Sequence, residues 1–408
     1  MDEGHTATPP LQGFRVLELG SFVAGPFATR IFGDFGAEVI KVERPGSGDE
    51  TRGWRNNGSG NSMMFRTLAR NKKSVTLDMK SAEGREAALE LARRADVVVE
   101  NFRPGTLESL GLGPEELARV NPDLIMVRIS GYGQTGPYRD RAGFGGVAEA
   151  FGGLRHITGY PDRPAVRPAA PIGDVLAGLY GAVSALMLLL ARARGLRHVG
   201  PRVADVALYE AVFMAMDSLI PDMDAYGSVR QRTAGNLPGV VPSGAFQSGD
   251  GETLLIAGNS SGAFKRLMAV VGRPDLADDP ALVDAAARLT REAEIDDAII
   301  AWASTRDIDE AVEALSVAGV PAGPVLDACG IARDAHYQAR GMFHPAKVSV
   351  GGDQKEIRFP GVVPLVPGAP GAVQWVGPEL GAHTDEVLSE LLNLSAGQLD
   401  EYRAKGII

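Results

Sequence analysis

An aspartate at position 174 has the local setting of a nucleophile. It occurs in the segment APIGDVLAGLYGA, directly before a long uncharged apolar run. A carboxylate near a helix N-terminus is kept ionised by the helix dipole, and an ordinary pKa of about 3.9 leaves it nucleophilic at neutral pH without a partner base. Aspartate is also a favoured helix N-cap. The local pattern therefore fits both a nucleophile and a structural cap at Asp174.

A serine at position 260 offers a different chemistry. It lies in the pattern G-x-S-x-G at residues 258–262, after the predicted strand TLLIAG and before a predicted helix. That is the context of the nucleophile elbow of a serine hydrolase, and His336, His344 and His383 follow as candidate bases. A serine that caps a helix explains the same letters. A serine hydrolase using Ser260 is kept as an alternative function.

The first strand–loop–helix unit resembles the start of a nucleotide-binding fold. Its second strand ends in Glu43, where such folds often place an acidic residue on a ribose hydroxyl. However, Gly20 and Gly25 do not complete the pattern G-x-G-x-x-G, and a tight turn alone explains them. Arg44 directly after Glu43 favours a ligand with an additional phosphate over a nicotinamide cofactor.

The charge distribution indicates a small anionic ligand. The formal net charge of −10 disfavours nucleic acid as the main partner. Between positions 41 and 80, however, nine basic residues stand against four acidic ones, which predicts a site for a polyanion or, equally, a solvated basic face. The nine are Lys41, Arg44, Arg52, Arg55, Arg66, Arg70, Lys72, Lys73 and Lys80.

The elements that must position these residues alternate between strand and helix. Short apolar or alternating runs (FRVLEL, AEVIKVE, SVTLDM, DVVVEN, LIMVRIS) predict strands, and EGREAALELARRA predicts an amphipathic helix. This alternation predicts an α/β fold with a parallel, doubly wound, Rossmann-like sheet. The uncharged run at residues 175–191 contains seventeen residues, which is short for a membrane span, and we interpret it as a core or interface helix.

The length of 408 residues predicts two domains. We expect residues 1–200 to form the N-terminal part of a large domain, 201–226 a linker and 227–328 a smaller α+β domain, with 329–408 returning to the large domain. Cys329 is the single cysteine, so neither an intrachain disulfide nor a thiolate-rich metal site is possible. With no signal peptide pattern at the N-terminus, the sequence favours the cytoplasm and no membrane partner.

Five long segments carry a family resemblance that no single motif does. They look like the class III CoA-transferases, which include formyl-CoA:oxalate and carnitine CoA-transferases. The 2-methylacyl-CoA racemases belong to the same superfamily. The resemblance covers nearly the whole chain from about Leu11. The segments are LQGFRVLELGSFVAGPFATRIFGDFGAEVIKVERPGSGDETRGW, NKKSVTLDMKSAEGRE, ADVVVENFRPGTLESLGLG, NPDLIMVRISGYGQTGPYRDRAG and GVPAGPVLDACGIARDAHYQARGMF.

The resemblance implies an enzyme that moves CoA between carboxylic acids. It implies that Asp174 is the nucleophile and passes through anhydride and thioester intermediates. It also implies a CoA-binding large domain, a smaller domain, and a homodimer of two interlocked subunits. Coenzyme A enters as part of the substrate, and neither a separate cofactor nor a metal is expected.

Motif by motif, the resemblance implies a set of binding residues. Val23 and Ala24 are expected near the thioester and Trp54 near the acyl group. The remaining expected CoA- and substrate-binding residues are Arg44, Leu77, Lys80, Asn101, Phe102, Arg103, Tyr132 and Phe144.

Some positions depart from the family pattern. Formyl-CoA transferases have glutamine at the position of Val23, which argues against formyl or oxalate substrates. The racemases have a His-Asp pair where Phe144 and Gly145 stand here, so the base for proton abstraction is missing and the racemase is the second alternative. Ser109 and Ala69 replace a basic residue and an asparagine of some relatives.

The segment GGLRHITGYPDRPAVRPAAPIGD looks most like transferases that use succinyl-CoA with dicarboxylic acceptors. Guanidinium groups bind carboxylates in a two-pronged fashion, so Arg155, Arg163 or Arg167 is a candidate for a distal carboxylate. Surface or dimer contacts explain the same arginines.

Overall fold

The computed structural model describes residues 8–55 and 60–408. Within them the chain forms two compact units. The large unit comprises residues 8–55, 60–154, 168–217 and 338–408, and the small unit comprises 155–167 and 218–337.

Eleven strands are found in the described residues. The large unit contains a six-stranded parallel sheet in the order β3-β2-β1-β4-β5-β6, as well as the antiparallel hairpin β10–β11. The small unit contains the antiparallel sheet β7-β8-β9. The predicted α/β class with a parallel sheet is confirmed. The strands are β1 Arg15–Glu18, β2 Glu38–Glu43, β3 Lys72–Thr76, β4 Val97–Glu100, β5 Ile125–Ser130, β6 Arg202–Ala207, β7 Ser243–Gln247, β8 Thr253–Ala257, β9 Ala322–Pro324, β10 Phe343–Val350 and β11 Asp353–Pro360.

Nineteen α-helices accompany these strands in the described residues. They are α1 Ala24–Asp34, α2 Met63–Leu68, α3 Ala82–Arg93, α4 Thr106–Ser109, α5 Pro114–Val120, α6 Gly145–Phe151, α7 Leu154–Ile157, α8 Ile172–Ala193, α9 Leu208–Met214, α10 Leu219–Tyr226, α11 Ser261–Val270, α12 Pro274–Ala277, α13 Ala285–Leu289, α14 Glu292–Ala303, α15 Ile308–Val317, α16 Ala328–Arg333, α17 Ala335–Ala339, α18 Thr384–Leu392 and α19 Ala396–Ala404.

The parallel sheet is covered on both faces, which is why its strands β4 and β5 are largely apolar. Successive side chains along a strand point to opposite faces, so Val16 and Leu17 enter different cores. The core containing Leu17 includes residues of α3, α18 and α19. The core containing Val16 includes residues of α1 and α8. Residues 202–207, expected to lie in a linker, form β6 of this sheet.

The 22-residue helix α8 is the one helix in the described part of the chain that is long and apolar enough to cross a membrane. It packs closely on its neighbours through two glycines. A Cβ atom on Gly178 would lie 2.8 Å from the carbonyl oxygen of Ala24 on α1, and one on Gly181 would lie 3.0 Å from Ile129 Cδ1 on β5. This packing fits a core helix. An apolar face nevertheless stays exposed, formed by Leu179, Tyr180, Val183, Leu186, Met187 and Leu190.

The small unit has a core of its own between its sheet and its helices. Phe264 and Leu267 of α11, Ile299 of α14 and Leu315 of α15 are almost fully buried and pack with the apolar side of β8.

Candidate functional site

Asp174 lies in the first turn of α8, at its third residue, and is not the N-cap. The N-cap is Pro171, which makes no side-chain capping bond. The carboxylate of Asp174 is therefore close to the amides of a helix start without occupying the capping position. This geometry removes the purely structural interpretation of Asp174 as an N-cap and leaves the electrostatic effect of the helix start on its charge.

Gly145, the first residue of α6, lies directly against the Asp174 carboxylate. A Cβ atom built on Gly145 would be 2.0 Å from Asp174 Oδ2 and 2.7 Å from its Cγ. On the other side, the amide of Gly173 donates to Oε1 of the buried Glu149 at 3.4 Å. The starts of α6 and α8 therefore meet at Gly145 and Gly173, and Gly145 leaves no room for a side chain beside the Asp174 carboxylate.

Next to this contact lie three aromatic rings, those of Phe22, Trp54 and Phe144. We call these three residues the aromatic trio. The ring centroids of Phe22 and Trp54 are 5.6 Å apart, those of Phe22 and Phe144 5.9 Å, and those of Trp54 and Phe144 6.3 Å. Phe144 directly precedes Gly145, so the trio forms an apolar surface near the Asp174 carboxylate.

A cavity of about 550 Å³ opens at the carboxyl ends of β1, β2, β3 and β4. Open α/β sheets bind their ligands at this edge. Five residues expected to bind coenzyme A line it, namely Arg44, Leu77, Lys80, Asn101 and Phe102. Phe22 also lines it and so joins the cavity to the aromatic trio. The remaining lining residues are Leu19, Ser21, Val42, Glu43, Pro45, Ser47, Glu50, Asp78, Met79, Thr106, Leu110 and Gly406.

Asn101 holds the loop after β1 in place. Its Oδ1 accepts the amide of Ser21 at 2.8 Å and its Nδ2 donates to the carbonyl of Ser21 at 2.7 Å. A side chain on Gly20 would bring its Cβ to 2.4 Å from the same Oδ1. The next residue, Phe22, has a left-handed backbone with φ of 64° and donates its amide to Asp49 Oδ1 at 3.3 Å. These bonds fix the backbone at Phe22, whose ring lines the cavity and also contacts Trp54 and Phe144.

A buried ion-pair network lies beneath this loop. Lys41 Nζ donates to Glu18 at 2.6 Å and to the carbonyl of Gly20 at 3.0 Å, and it is 2.8 Å from Asp49 Oδ2. Burial alone would lower the pKa of Lys41, but the carboxylates of Glu18 and Asp49 raise it, so the ammonium stays charged. Lys72 bonds the other oxygen of Glu18 at 2.7 Å. Through Lys41, the network holds Gly20 and Asp49 in place on either side of the loop of Phe22.

The basic excess at residues 41–80 is mostly neutralised inside the protein. Arg44 and Lys80 line the cavity. Lys73 is paired with Glu38 and Glu386. The interpretation of the whole cluster as a polyanion site was therefore too broad. The buried members of the cluster, all in ion pairs, are Lys41, Arg52, Arg66, Arg70 and Lys72.

Glu43 is also engaged by the protein itself. Its two oxygens accept from Arg52 at 2.8 and 2.7 Å, and Ser74 Oγ donates to Oε1 at 2.7 Å. The prediction of a ribose contact at Glu43 has no support from this arrangement.

The other expected binding residues are spread more widely. Val23 is the N-cap of α1 and Ala24 its first residue, and both are buried. Arg103 is exposed and is not among the cavity-lining residues. Tyr132 belongs to a separate group of rings, with its centroid 5.9 Å from Tyr138 and 5.5 Å from Phe151.

Ser260 is the N-cap of α11. Its Oγ accepts the amide of Ala263 at 3.2 Å. The ring of His383, one of the candidate bases, accepts the amide of Ser74 at 3.2 Å through Nδ1. The pattern G-x-S-x-G is thus explained as a helix cap in the small unit.

The three arginines proposed for a distal carboxylate lie in residues 155–167 of the small unit. The guanidinium of Arg163 stacks over the ring of Tyr160, with its Cζ 5.0 Å from the centroid. Arg163 and Arg167 are exposed and Arg155 is partly buried.

Three residues at the site were not singled out as binding residues from the sequence: Phe22, Asp49 and Gly145. The signal for Gly145 was present, since a glycine stands where racemases have an acid. The left-handed backbone of Phe22 and the ion pair of Asp49 with buried Lys41 arise only in the folded chain. No sequence motif predicts either feature.

Comparison with known proteins now identifies the family. The model of CoA-transferase family III matches residues 11–384. The chain belongs to CoA-transferase family III. It is an enzyme, and family III CoA-transferases use CoA thioesters as substrates.

Similar proteins span nearly the full chain. A succinyl-CoA–D-citramalate CoA-transferase of Chloroflexus aurantiacus is 45% identical, with 98% of each chain covered. A succinyl-CoA:glutarate CoA-transferase of Mus musculus is 34% identical and covers 98% of this chain and 90% of its own. The crystal structure of a CAIB/BAIF family protein from Brucella suis has a TM-score of 0.80 at 31% identity, covering 94% of this chain and 100% of its own.

Proposed function

We propose that this family III enzyme moves CoA from succinyl-CoA, or a similar acyl-CoA, to a carboxylic acid acceptor through intermediates on Asp174. The observation that carries the proposal is the Asp174 carboxylate against Gly145, beside an aromatic trio that continues into the 550 Å³ cavity. The relatives named above, and a succinyl-CoA–L-malate CoA-transferase at 39% identity, support succinyl-CoA as the donor.

The chemistry follows from the nucleophilicity of a carboxylate. An oxygen of Asp174 attacks the thioester carbon of the donor, the C–S bond breaks, and CoA leaves as a thiolate. The thiolate then attacks the aspartyl carbonyl carbon of the resulting anhydride. The donor acid departs with the bridging oxygen, and an aspartyl-CoA thioester remains.

The second half repeats these steps with the acceptor. The acceptor carboxylate attacks the aspartyl thioester, expels the thiolate and forms a second anhydride. The thiolate attacks the acceptor carbonyl carbon, which yields the new acyl-CoA and restores the Asp174 carboxylate. Each bond broken is replaced by one formed, so neither an oxidant nor a reductant is required.

The cavity supplies contacts suited to coenzyme A. Arg44 and Lys80 are the cations that line it, and they match the phosphates of the nucleotide. Leu77 and Phe102 provide apolar surface. We assign the acyl end of the substrate to Trp54 and Phe144, because their rings lie on the Gly145 side of the cavity.

For the acceptor, we propose a dicarboxylic acid. The names of the similar transferases include citramalate, malate and glutarate as partners of succinyl-CoA. Arg155, Arg163 and Arg167 remain the candidates for the distal carboxylate. A panel of mono- and dicarboxylic acids assayed with succinyl-CoA tests this, and activity with monocarboxylates alone would contradict it.

We propose a homodimer on the basis of the exposed apolar face of α8. Its exposed apolar face runs over three turns, from Leu179 to Leu190, and Met187 and Leu190 are 64% and 60% exposed. A face of this kind fits a second copy of the chain better than bulk water. We also propose a cytoplasmic location.

The decisive experiment traps the enzyme-bound intermediate. Purified enzyme is incubated with succinyl-CoA and quenched with hydroxylamine or borohydride, and the peptide containing Asp174 is analysed by mass spectrometry. A hydroxamate or alcohol at Asp174, absent from Asp174→Asn, is the expected result, together with ping-pong kinetics. Unmodified Asp174 in an active enzyme would overturn the proposal.

A further inference from the structure

One side of the cavity is formed by residues 101–110, which we call the wall segment. Asn101, Phe102, Thr106 and Leu110 of this segment line the cavity. The segment follows β4 and contains the short helix α4. Beneath it lie two buried charged side chains that the transfer chemistry does not use, Glu100 and Arg128, with exposed fractions of 1% and 5%.

Glu100 holds the beginning of the wall segment. Its Oε2 accepts the amide of Phe102 at 2.8 Å. Its Oε1 accepts Arg128 Nε at 2.7 Å. Because both oxygens of the carboxylate are engaged by different donors, the backbone at Phe102 is tied to a side chain on the neighbouring strand β5.

Arg128 holds the end of the same segment. Its Nη1 and Nη2 donate to the two oxygens of Glu108 on α4, at 2.6 and 3.1 Å. One planar guanidinium therefore bonds Glu100 at one edge and Glu108 at the other, a fixed fork geometry that lysine cannot reproduce. Glu100, Arg128 and Glu108 form a chain, and the two ends of the wall segment are fastened to it.

We infer that Glu100 and Arg128 are positioning residues for coenzyme A binding, because they fasten both ends of the wall segment in the shape that the ligand meets. Neither side chain lines the cavity, so they act through Phe102 and α4. Preorganisation of this kind increases affinity because the ligand does not have to order the segment on binding. The inference rests on the proposed coenzyme site in the cavity.

The test compares ligand affinity with turnover in the full-length enzyme. Calorimetric titration with CoA gives Kd, and steady-state assays give KM for the acyl-CoA and kcat. The main variant replaces the buried pair by apolar residues of similar length, Glu100→Met with Arg128→Met, since breaking only one partner would leave an uncompensated buried charge. A second variant, Glu108→Ala, removes the partly exposed end of the chain and leaves the buried pair intact.

We expect the double variant to raise Kd and KM by about tenfold, the scale of lost hydrogen bonds to charged groups, with kcat changed less than about twofold. We expect a smaller rise for Glu108→Ala, about threefold. Glu116→Ala, which breaks the ion pair with Arg119 on α5, is the matched control and should leave Kd unchanged.

Three outcomes would overturn the inference: wild-type Kd in the double variant, a loss confined to kcat, or, where the double variant does not fold, wild-type Kd in Glu108→Ala. Arg44→Ala distinguishes the underlying site from the positioning role. If Arg44→Ala binds CoA as tightly as the wild type, the proposed site itself is wrong. If it binds weakly while the double variant binds normally, only the positioning role fails.

Discussion

A methyl group on Gly145 and the carboxylate of Asp174 cannot occupy the site together, because the methyl carbon would lie 2.0 Å from Oδ2. The two residues are 29 positions apart in sequence and lie at the starts of α6 and α8. Any side chain at position 145 would therefore displace the Asp174 carboxylate from its present position.

Gly145→Ala is expected to lower kcat by about a hundredfold, since displacing a reacting group by about 1 Å has an effect of this size. The assay is steady-state transfer from succinyl-CoA. The matched control is Gly397→Ala on α19, where nothing lies within 4 Å of the new Cβ. Wild-type kcat in Gly145→Ala would show that the Asp174 carboxylate need not stay in this position.

Arg44→Ala is expected to weaken CoA binding by about tenfold, because it removes a charge-assisted hydrogen bond to a phosphate. If Arg44 contacts the 3′-phosphate, the variant should bind CoA and dephospho-CoA equally, whereas the wild type prefers CoA. Titration calorimetry with both ligands measures this. Weakened binding with an unchanged preference for CoA would assign Arg44 to the diphosphate and not to the 3′-phosphate.

The buried Glu100 predicts a dependence of stability on pH. Burial raises its pKa from 4.5 to about 7, against the lowering effect of Arg128, and Glu108 is the other charge that faces the pair. Between these values the folded protein keeps a proton that the unfolded chain releases, so the contribution of Glu100 to stability falls as pH rises through this window. It is fully lost above about pH 7.

The comparison that isolates this effect is Glu100→Gln, which cannot titrate. The unfolding free energy of the wild type relative to Glu100→Gln should decrease from pH 4 to pH 8, by about 3 kcal/mol at most. Urea unfolding at several pH values measures it, and other titrating groups cancel in the difference. Parallel curves for the two proteins would contradict a raised pKa at Glu100.

Ser260→Ala is expected to retain wild-type transfer activity, because its hydroxyl caps α11. The loss of the cap should destabilise the small unit by about 1 kcal/mol. Thioester consumption with and without an acceptor, together with a thermal melt, checks both statements. A large loss of activity with unchanged stability would revive the serine hydrolase.

Met187→Glu on α8 is expected to convert the proposed dimer to monomer, since it places a charge on the most exposed residue of the apolar face. Sedimentation velocity measures the change. Val199→Glu is the control, because Val199 is 98% exposed and lies outside α8. An oligomeric state that is the same in wild type and Met187→Glu would exclude this face as the interface.

Much of this architecture could be predicted from local sequence. Five of the six strands of the parallel sheet are short apolar or alternating runs, α3 is an amphipathic pattern and α8 is a long uncharged run, so the pattern of apolar residues indicates them. The sixth strand, β6, was expected to lie in a linker. Asp174 and the cavity cations Arg44 and Lys80 could be proposed as site residues because they lie in long segments that resemble a known family.

The remaining features depend on partners that are distant in sequence. Lys41, counted with the basic cluster, is neutralised by Glu18, 23 residues away. Arg52 donates to the carbonyl of Pro378, 326 residues away. No periodicity relates such positions, so the sequence could not show which charges of the cluster are buried and which face the cavity.

The glycine at position 178 sets the distance between α1 and α8 near the proposed active site. Asp174 lies in the first turn of α8, and one turn later Gly178 brings the helix into contact with Ala24 and Phe27 of α1, the helix that follows the loop of Phe22. With only a hydrogen atom between the two backbones, α8 has no room to slide closer and any larger side chain would push it away. The distance from the proposed nucleophile Asp174 to the cavity therefore depends on the spacing of α1 and α8, so acceptor preference can change through other residues while this distance stays constant.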